Sequence, residues 1–415
     1  MCFTVAGQKY FVAICWLFST GTFQYKSFMG EAIKIAIIST MGGSPWGGSE
    51  ELWASMAQEA IASGNSVAIS VYRWPSIPPK VAELQRRGAE LYQRINPNRL
   101  SLLKRAANRI VSQIAPPFSD IYRFKPDVIC INEGKIYESL SLRGLLPQLY
   151  SMAVPYIVIC HGNNEVRIPN GAIRKSAHDY FSKAYRVIFV SRRNAALAER
   201  QLAAPLANAQ VLQNPLTFSD VSAVPWPAAE PFCMALVGRL EAGIKGHDLL
   251  FEILGSPAWL KRQWKLRIYG DGPDRKYLET LAHYYAIAPR IDFMGFADDV
   301  KSIWSSCHLM VMPSRSEALP IALIEAMVCG RPAVVTDVGG ISEWVEDGRT
   351  GFIAAAASVK SFGAALERAW TQSSALETMG REARSITLKR VDPEPGKTLL
   401  DRVREAAHTG DKKAP

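Results

Sequence analysis

The chain has 415 residues, 48% apolar and 21% charged. This is ordinary globular usage, and it excludes a chain disordered over long stretches. The length exceeds one ordinary hydrophobic core and suits two domains. The formal net charge is +10, but no RNP-like or zinc-finger pattern accompanies it, so nucleic acid is not an indicated partner.

In chain order, residues 1–28 form a leader. Its run from Phe11 to Phe18 is apolar but too short to span a bilayer, and no A-x-A-like cleavage site follows. Met29 stands just before a fresh strand pattern. The leader is therefore either a start-site artefact, with Met29 the true start, or a short anchor. From Ile33 onward short β-branched runs alternate with helical patterns. Strands are expected at Ile33–Thr40, Ser66–Tyr72, Ala89–Gln93, Asp127–Asn132, Tyr156–Cys160 and Val187–Ser191. Helices are expected at Ser49–Ala62, Arg99–Ile114, Ala172–Lys183 and Arg192–Leu202. Such alternation implies a parallel, doubly wound sheet, here over residues 29–215.

Much of the positive charge lies in residues 86–109, where seven basic side chains, from Arg86 to Arg109, face Glu90 alone. Leu100, Leu103, Ala106, Ile110 and Ile114 recur there at helical spacing. Residues 99–114 thus read as a basic amphipathic helix, either packed on the core or docked on an anionic membrane surface.

A break falls after Asn214-Pro215, and Ser222–Pro231 reads as a linker. The alternation then restarts over residues 216–385. Strands are expected at Phe232–Val237, Lys265–Tyr269, Ile291–Phe293, Leu309–Met312 and Ala333–Thr336. Helices are expected at His247–Leu254, Asp274–Tyr285, Val300–Ser305, Pro320–Cys329 and Ile341–Glu346. Residues 386–415 read as a helix and charged tail. Two doubly wound halves would face one cleft at their strand C-termini, where such folds bind ligands. The seven cysteines form no C-x-x-C pair. Cys130, Cys160 and Cys233 sit in apolar runs and read as small buried hydrophobes of a reducing compartment.

Two motifs carry chemistry. Glu317 and Glu325 bracket Pro320, which fits the first turn of a helix. The start of that helix offers free N–H groups and a positive dipole end to a diphosphate. Glu317 just before it can hold sugar hydroxyls, and Glu325 further along can hold ribose hydroxyls. Gly238-Arg239-Leu240 follows the strand Phe232–Val237, with Lys245-Gly246 shortly after. Two cations there can neutralise a diphosphate leaving group, and Gly238 lets backbone approach it. No Gly-Lys-Ser/Thr follows, which excludes P-loop ATPase chemistry. Gly270-Asp271-Gly272 begins a dinucleotide fingerprint, but Arg275 stands at its third glycine, against a nicotinamide cofactor.

The order of these segments, from Gly238-Arg239-Leu240 through Tyr269–Pro273, Met294–Phe296 and Pro313–Met327 to Gly339-Gly340, resembles family 4 glycosyltransferases. In the N-terminal half Gly42-Gly43, Gly47-Gly48, His161-Gly162 and Asn214-Pro215 agree less sharply. The resemblance implies a GT-B fold of two Rossmann-like domains facing a central cleft, and a retaining enzyme. It implies that Arg239 and Lys245 bind the donor diphosphate, with Gly238, Leu319, Pro320 and Ile321 beside it. Glu325 would bind the ribose, Glu317 would contact the transferred sugar, and His161 would sit over that sugar. Ala318 and Leu319 depart from a frequent Gly and Phe, which puts the sugar's positioning in question.

The loop with Gly43, Gly47 and Gly48 is assigned to the acceptor side. Ser49 can cap the next helix, and Glu50 and Glu51 in its first turn would repel phosphate. Trp46 and Trp53 can stack on a sugar ring or serve as loop and core aromatics. No Asp-x-Asp or Cys/His cluster occurs, so no metal and no cofactor beyond the substrate is expected. The function expected is hexosyl transfer from a UDP- or GDP-sugar to a glycan or lipid-linked acceptor in cell-surface polysaccharide assembly. The place expected is the cytoplasm, with the inner face of the cell membrane as an attachment site. The alternatives are a catalytically silent binding protein of the same fold and a GT-B sugar-nucleotide epimerase.

Overall fold

The computed structural model describes residues 31–96, 117–227, 231–297 and 299–410. The leader 1–28 and the basic helix expected near 99–114 lie outside the described residues. In the N-terminal half β1 is Lys34–Ser39, β2 Ser66–Tyr72, β3 Glu90–Arg94, β4 Val128–Lys135, β5 Tyr156–Gly162, β6 Arg186–Phe189 and β7 Ala209–Val211. They form one parallel sheet in the order β3-β2-β1-β4-β5-β6-β7. In the C-terminal half β8 is Phe232–Val237, β9 Trp264–Tyr269, β10 Ile291–Gly295, β11 Leu309–Met312, β12 Ala333–Thr336 and β13 Gly351–Ala354. Their order is β10-β9-β8-β11-β12-β13, again all parallel. The order reverses beside the first strand of each half, which opens a crevice at the strand C-termini.

The sequence dictates this layering. Alternate residues of a strand point to opposite faces. In β1, Ile35 and Ile37 pack with Leu52 and Trp53, whereas Ala36 and Ile38 pack with Phe181 and Phe189 on the other face. In β8, Met234 and Leu236 face one core, and Cys233 and Ala235 face another. Both faces are apolar because both are covered, so the strands read as continuous hydrophobic runs.

The C-terminal helix Pro395–Gly410 returns to the N-terminal half. It lays Leu399, Leu400, Val403, Ala406 and Ala407 against the core that holds Leu52 and Trp53. Residues Ile33–Pro415 fold as one compact unit.

Several local expectations are corrected. Strands β7 and β13 are additions, as are the helices Pro79–Arg86, Ser119–Phe124 and Leu145–Met152. The helix expected at Ile341–Glu346 is only a 3-10 turn, Ile341–Glu343. Pro320 is not in the first helical turn. It precedes Ile321–Val328 with extended backbone, because its ring fixes φ while ψ stays open. No side chain caps the helix Glu51–Ala62, so Ser49 does not play that part. Trp53 is a core residue and Trp46 packs edge-on against it. The indole N–H of Trp46 donates to Glu51 Oε1 at 2.7 Å, so both aromatics are packing groups.

Candidate functional site

The C-terminal side of the site is built by two loops locked together. Gly246 adopts φ +70°, and a Cβ there would stand 2.1 Å from the Pro313 carbonyl oxygen. Only glycine allows that approach. It brings Lys245 against the loop Pro313–Glu317. Lys245 Nζ lies 2.6 Å from Glu317 Oε1, and Ser314 Oγ donates to the same oxygen at 2.7 Å. Gly238 lies under the Lys245 stem, its position for a Cβ being 3.4 Å from Lys245 Cε. Arg315 ties the loops from behind, with both guanidinium nitrogens on Asp248 at 2.8 Å and a further bond to the Ala242 carbonyl. Ser314, Arg315 and Asp248 lie inside or beside the quoted motifs, but their function as a latch shows only in three dimensions.

Arg239 reaches the other half of the molecule. Its Nη2 is 3.5 Å from the Gly43 carbonyl oxygen, and its own loop offers Glu241 at 3.7 Å. Those contacts are long, and the side chain is 41% exposed, so the guanidinium is available to an anion. Gly48 approaches Ile321, with a Cβ at Gly48 placed 3.2 Å from Ile321 Cδ1. The glycine loop of one half thus faces the helix start of the other. Gly47 precedes the turn Gly48–Glu50 and accepts from the Glu50 amide at 2.9 Å. The helix Ile321–Val328 has no side-chain cap, which leaves its first N–H groups to a ligand.

Leu319, Ile321 and Trp344 line a narrow crevice with Asn214, Leu216 and Val391. Glu325 is buried, and its Oε1 accepts from the amide and hydroxyl of Thr217, just beyond the domain break. Burial raises its pKa above the usual carboxylate range, while the Thr217 bonds oppose that. Thr217 was not singled out from sequence; the two residues are 108 positions apart.

His161 ends β5 and is buried. Its Nε2 lies 2.9 Å from Asn132 Oδ1, and Nδ1 is buried with no partner. Burial pushes its pKa down to about 3, so the ring is neutral at physiological pH. The side-chain bond of His161 runs within the N-terminal half, whereas Arg239, Lys245, Glu317 and the glycine loop are brought together directly.

Glu50 departs from expectation. It is 3% exposed and bonded to Ser39 and Asn132, not displayed to a ligand. Among the described residues no three His, Cys, Asp or Glu side chains cluster as metal ligands, and no helix is long and apolar enough to cross a membrane.

The fold and the site together define a GT-B protein: two Rossmann-like sheets with a cationic, carboxylate-bearing crevice at their strand ends. Solved structures share the fold. HepE from Anabaena, solved with UDP-glucose, superposes with a TM-score of 0.69 over 92% of this chain and 100% of that one, at 18% identity. Sucrose-phosphate synthase from Thermosynechococcus elongatus gives 0.70 over 91% and 99%, at 17% identity.

Residues 231–372 match the family described as "Glycosyl transferases group 1", and the likeness to family 4 glycosyltransferases read from the motifs is upheld. The chain is 33% identical over 162 residues to D-inositol 3-phosphate glycosyltransferase of Gordonia bronchialis, a match covering 36% of this chain and 35% of that one. It is 37% identical over 89 residues to N-acetyl-alpha-D-glucosaminyl L-malate synthase of Bacillus anthracis, covering 21% and 23%. The matches therefore span about a third or less of the length of these curated relatives.

Proposed function

We propose that the protein transfers a hexosyl unit from a UDP- or GDP-sugar to a glycan or lipid-linked acceptor, with retention at the anomeric carbon and without a metal. The observation that carries this reading is the junction of Lys245, Glu317 and Ser314 at the uncapped start of the helix Ile321–Val328, with Arg239 opposite. The relatives' names and the UDP-glucose complex of HepE support it. Arg239, Lys245 and the helix N–H groups would hold the diphosphate as its charge grows on leaving. One such preorganised donor is worth about 10²–10³ in rate. Glu325 would take ribose hydroxyls through Oε2, and Glu317 would take hydroxyls of the sugar.

Glu317 Oε1 already accepts from Lys245 and Ser314, which makes it a poor nucleophile. A front-face path is therefore favoured over a covalent one. The bond from the anomeric carbon to the phosphate oxygen breaks, the acceptor oxygen bonds on the same face, and its proton passes to the departing phosphate. The comparisons do not favour the epimerase or the silent binder.

The test is a thermal-shift screen of the full chain with UDP, GDP, ADP and their sugars, with and without chelator. The expected result is a shift with one base, unaffected by chelator and lost in Arg239→Ala. No shift with any nucleotide, from a protein that melts cooperatively, defeats the reading. The basic stretch 86–109 supports a cytoplasmic protein held at an anionic membrane face, in polysaccharide assembly. Sedimentation with phosphatidylglycerol vesicles at low salt, absent with phosphatidylcholine, is expected; equal binding to both removes that part.

A further inference from the structure

A buried hydrogen-bonded line crosses the strand ends of the N-terminal sheet. Glu50 Oε2 accepts from Ser39 Oγ at 2.8 Å, and Oε1 accepts from Asn132 Nδ2 at 2.8 Å. This fixes the Asn132 amide, since an ionised carboxylate can only accept. Its Oδ1 then faces His161 Nε2 at 2.9 Å. An amide oxygen cannot donate, so Nε2 carries the proton and Nδ1 is a bare lone pair. That Nδ1 is the buried atom with no partner in the protein. The backbone of His161 is held too, since Asn194 Nδ2 donates to its carbonyl at 3.3 Å.

We propose that Glu50 and Asn132 are positioning residues that hold His161 in the Nε2–H tautomer, so that Nδ1 accepts a hydrogen bond from a hydroxyl of the bound sugar. The role given to the sugar rests on the donor reading above; the tautomer does not. A lone pair buried without a partner costs free energy that a ligand hydroxyl recovers on binding. Reversing the amide would turn the same nitrogen into a donor. A neutral glutamine at position 50 can accept or donate, so it would no longer dictate which way Asn132 points. The charge at Glu50 is what dictates it, and because burial pushes the Glu50 pKa up to about 7, that charge is mostly present at pH 8 and is lost below neutrality. The Arg94 guanidinium from the end of β3 faces this cluster, donating to the Ser39 carbonyl and partly offsetting the cost of that charge; Glu51 beside it acts the other way.

The test reads the ring directly. The full chain, with ¹⁵N-labelled histidine, is studied by long-range ¹H–¹⁵N correlation, with His161 found among the six histidines by His161→Gln. Wild type is expected to show a neutral ring with Nε2 protonated and Nδ1 bare at pH 8. Glu50→Gln is expected to mix the tautomers, and Ser39→Ala, which leaves the Oε1 bond to Asn132, to preserve the wild-type pattern. A wild-type ring protonated on Nδ1 overturns the proposal with no variant needed. So does an unchanged tautomer in a Glu50→Gln protein that melts cooperatively. Binding supplies the second arm: Glu50→Gln should weaken UDP-sugar several-fold and leave UDP unchanged. Equal weakening of both overturns the link to the sugar. Failure of the wild type to bind any nucleotide sinks the donor reading, and the ring spectrum still decides the tautomer.

Discussion

Replacing Glu317 with glutamine should tighten UDP binding while slowing transfer. Lys245 Nζ sits 2.6 Å from Glu317 Oε1, with the two side chains 20% and 9% exposed. A phosphate oxygen held on the far side of that ammonium would lie about 5–6 Å from the carboxylate. At an effective dielectric of about 20–40, a unit charge at that range costs roughly 1.5–3 kcal/mol. Removing it corresponds to an affinity gain of roughly tenfold or more. Glutamine keeps the shape, and its carbonyl oxygen still accepts from Ser314 and Lys245, so the loop need not move.

The assay is calorimetric titration of UDP into both proteins, beside turnover of the UDP-sugar that the screen selects. The expected pattern is a lower UDP Kd with a fall in kcat of about 10² or more, as for loss of an interaction made in the transition state. Weaker UDP binding by Glu317→Gln, with an unchanged melting temperature, would refute the reasoning. Glu317 would then be a direct ligand of the nucleotide, not a charge that the donor phosphate must tolerate.

Further outcomes are expected. Gly246→Ala places a Cβ 2.1 Å from the Pro313 carbonyl at φ +70°, so it should cost more than about 2 kcal/mol of stability and abolish UDP binding by displacing Lys245; an unaltered melt and Kd would show that the loops are not locked. Arg315→Ala should cost about 1 kcal/mol or less of stability, because its pair with Asp248 is about a third exposed. It should nonetheless weaken UDP several-fold by freeing the loop that carries Lys245; unchanged affinity counts against the latch. Glu133 is buried, accepts from the Tyr137 and Ser139 amides, and has its pKa pushed up to about 7 by burial. An acid with a raised folded-state pKa contributes stability at low pH that is lost as pH rises from about 4.5 to about 7, here about 3 kcal/mol at most. His161 and His247, buried and neutral, act oppositely below pH about 6.5. The clean quantity is therefore the stability of wild type over Glu133→Gln, which should shrink from pH 5 to pH 8; a constant gap means Glu133 is already ionised at pH 5.

What was legible in the sequence is what local physics encodes. The continuous apolar runs of β1, β8 and β11 announce buried parallel strands, and Arg239, Lys245 and Glu317 sit at strand or helix ends that any doubly wound fold turns toward its crevice. The edge strands β7 and β13 escape notice because Gln210 with Ala209, and Gly351 with Ala354, break the apolar run that equally short β11 and β12 keep whole. The larger misses are pairings across long separations. Glu50 read as an exposed carboxylate because its neighbours are Ser49 and Glu51, but its partner Asn132 is 82 residues away. Glu317 and Lys245 were both singled out, yet their direct pairing across 72 residues was invisible. A buried charge becomes tolerable through partners that folding supplies, and a sequence window does not contain them.

Partners supplied across long separations also hold His161 and Glu317, on the two halves, in one frame. Glu343, in the C-terminal half, accepts from the Arg192 and Arg193 amides at 3.2 and 2.8 Å, placing a carboxylate on the start of the helix Arg192–Leu202. Asp337 pairs with Arg193 at 2.6 Å. Gly340 makes the junction sterically, since a Cβ there would stand 2.4 Å from Ser191 Cβ. The loop 337–343 also reaches the proposed donor side, for the Gly340 amide donates to the Ala318 carbonyl at 2.6 Å, next to Glu317. On the far side, Asn194 of that helix holds the His161 carbonyl. One continuous chain of short polar contacts therefore runs from Glu317 through the Gly340 loop and the helix start to His161. No link in it was a sequence-level candidate for chemistry except its two ends. If His161 and Glu317 act on one sugar, as proposed, they need such a path, because a displacement of about 1 Å between catalytic groups can cost about 10² in rate.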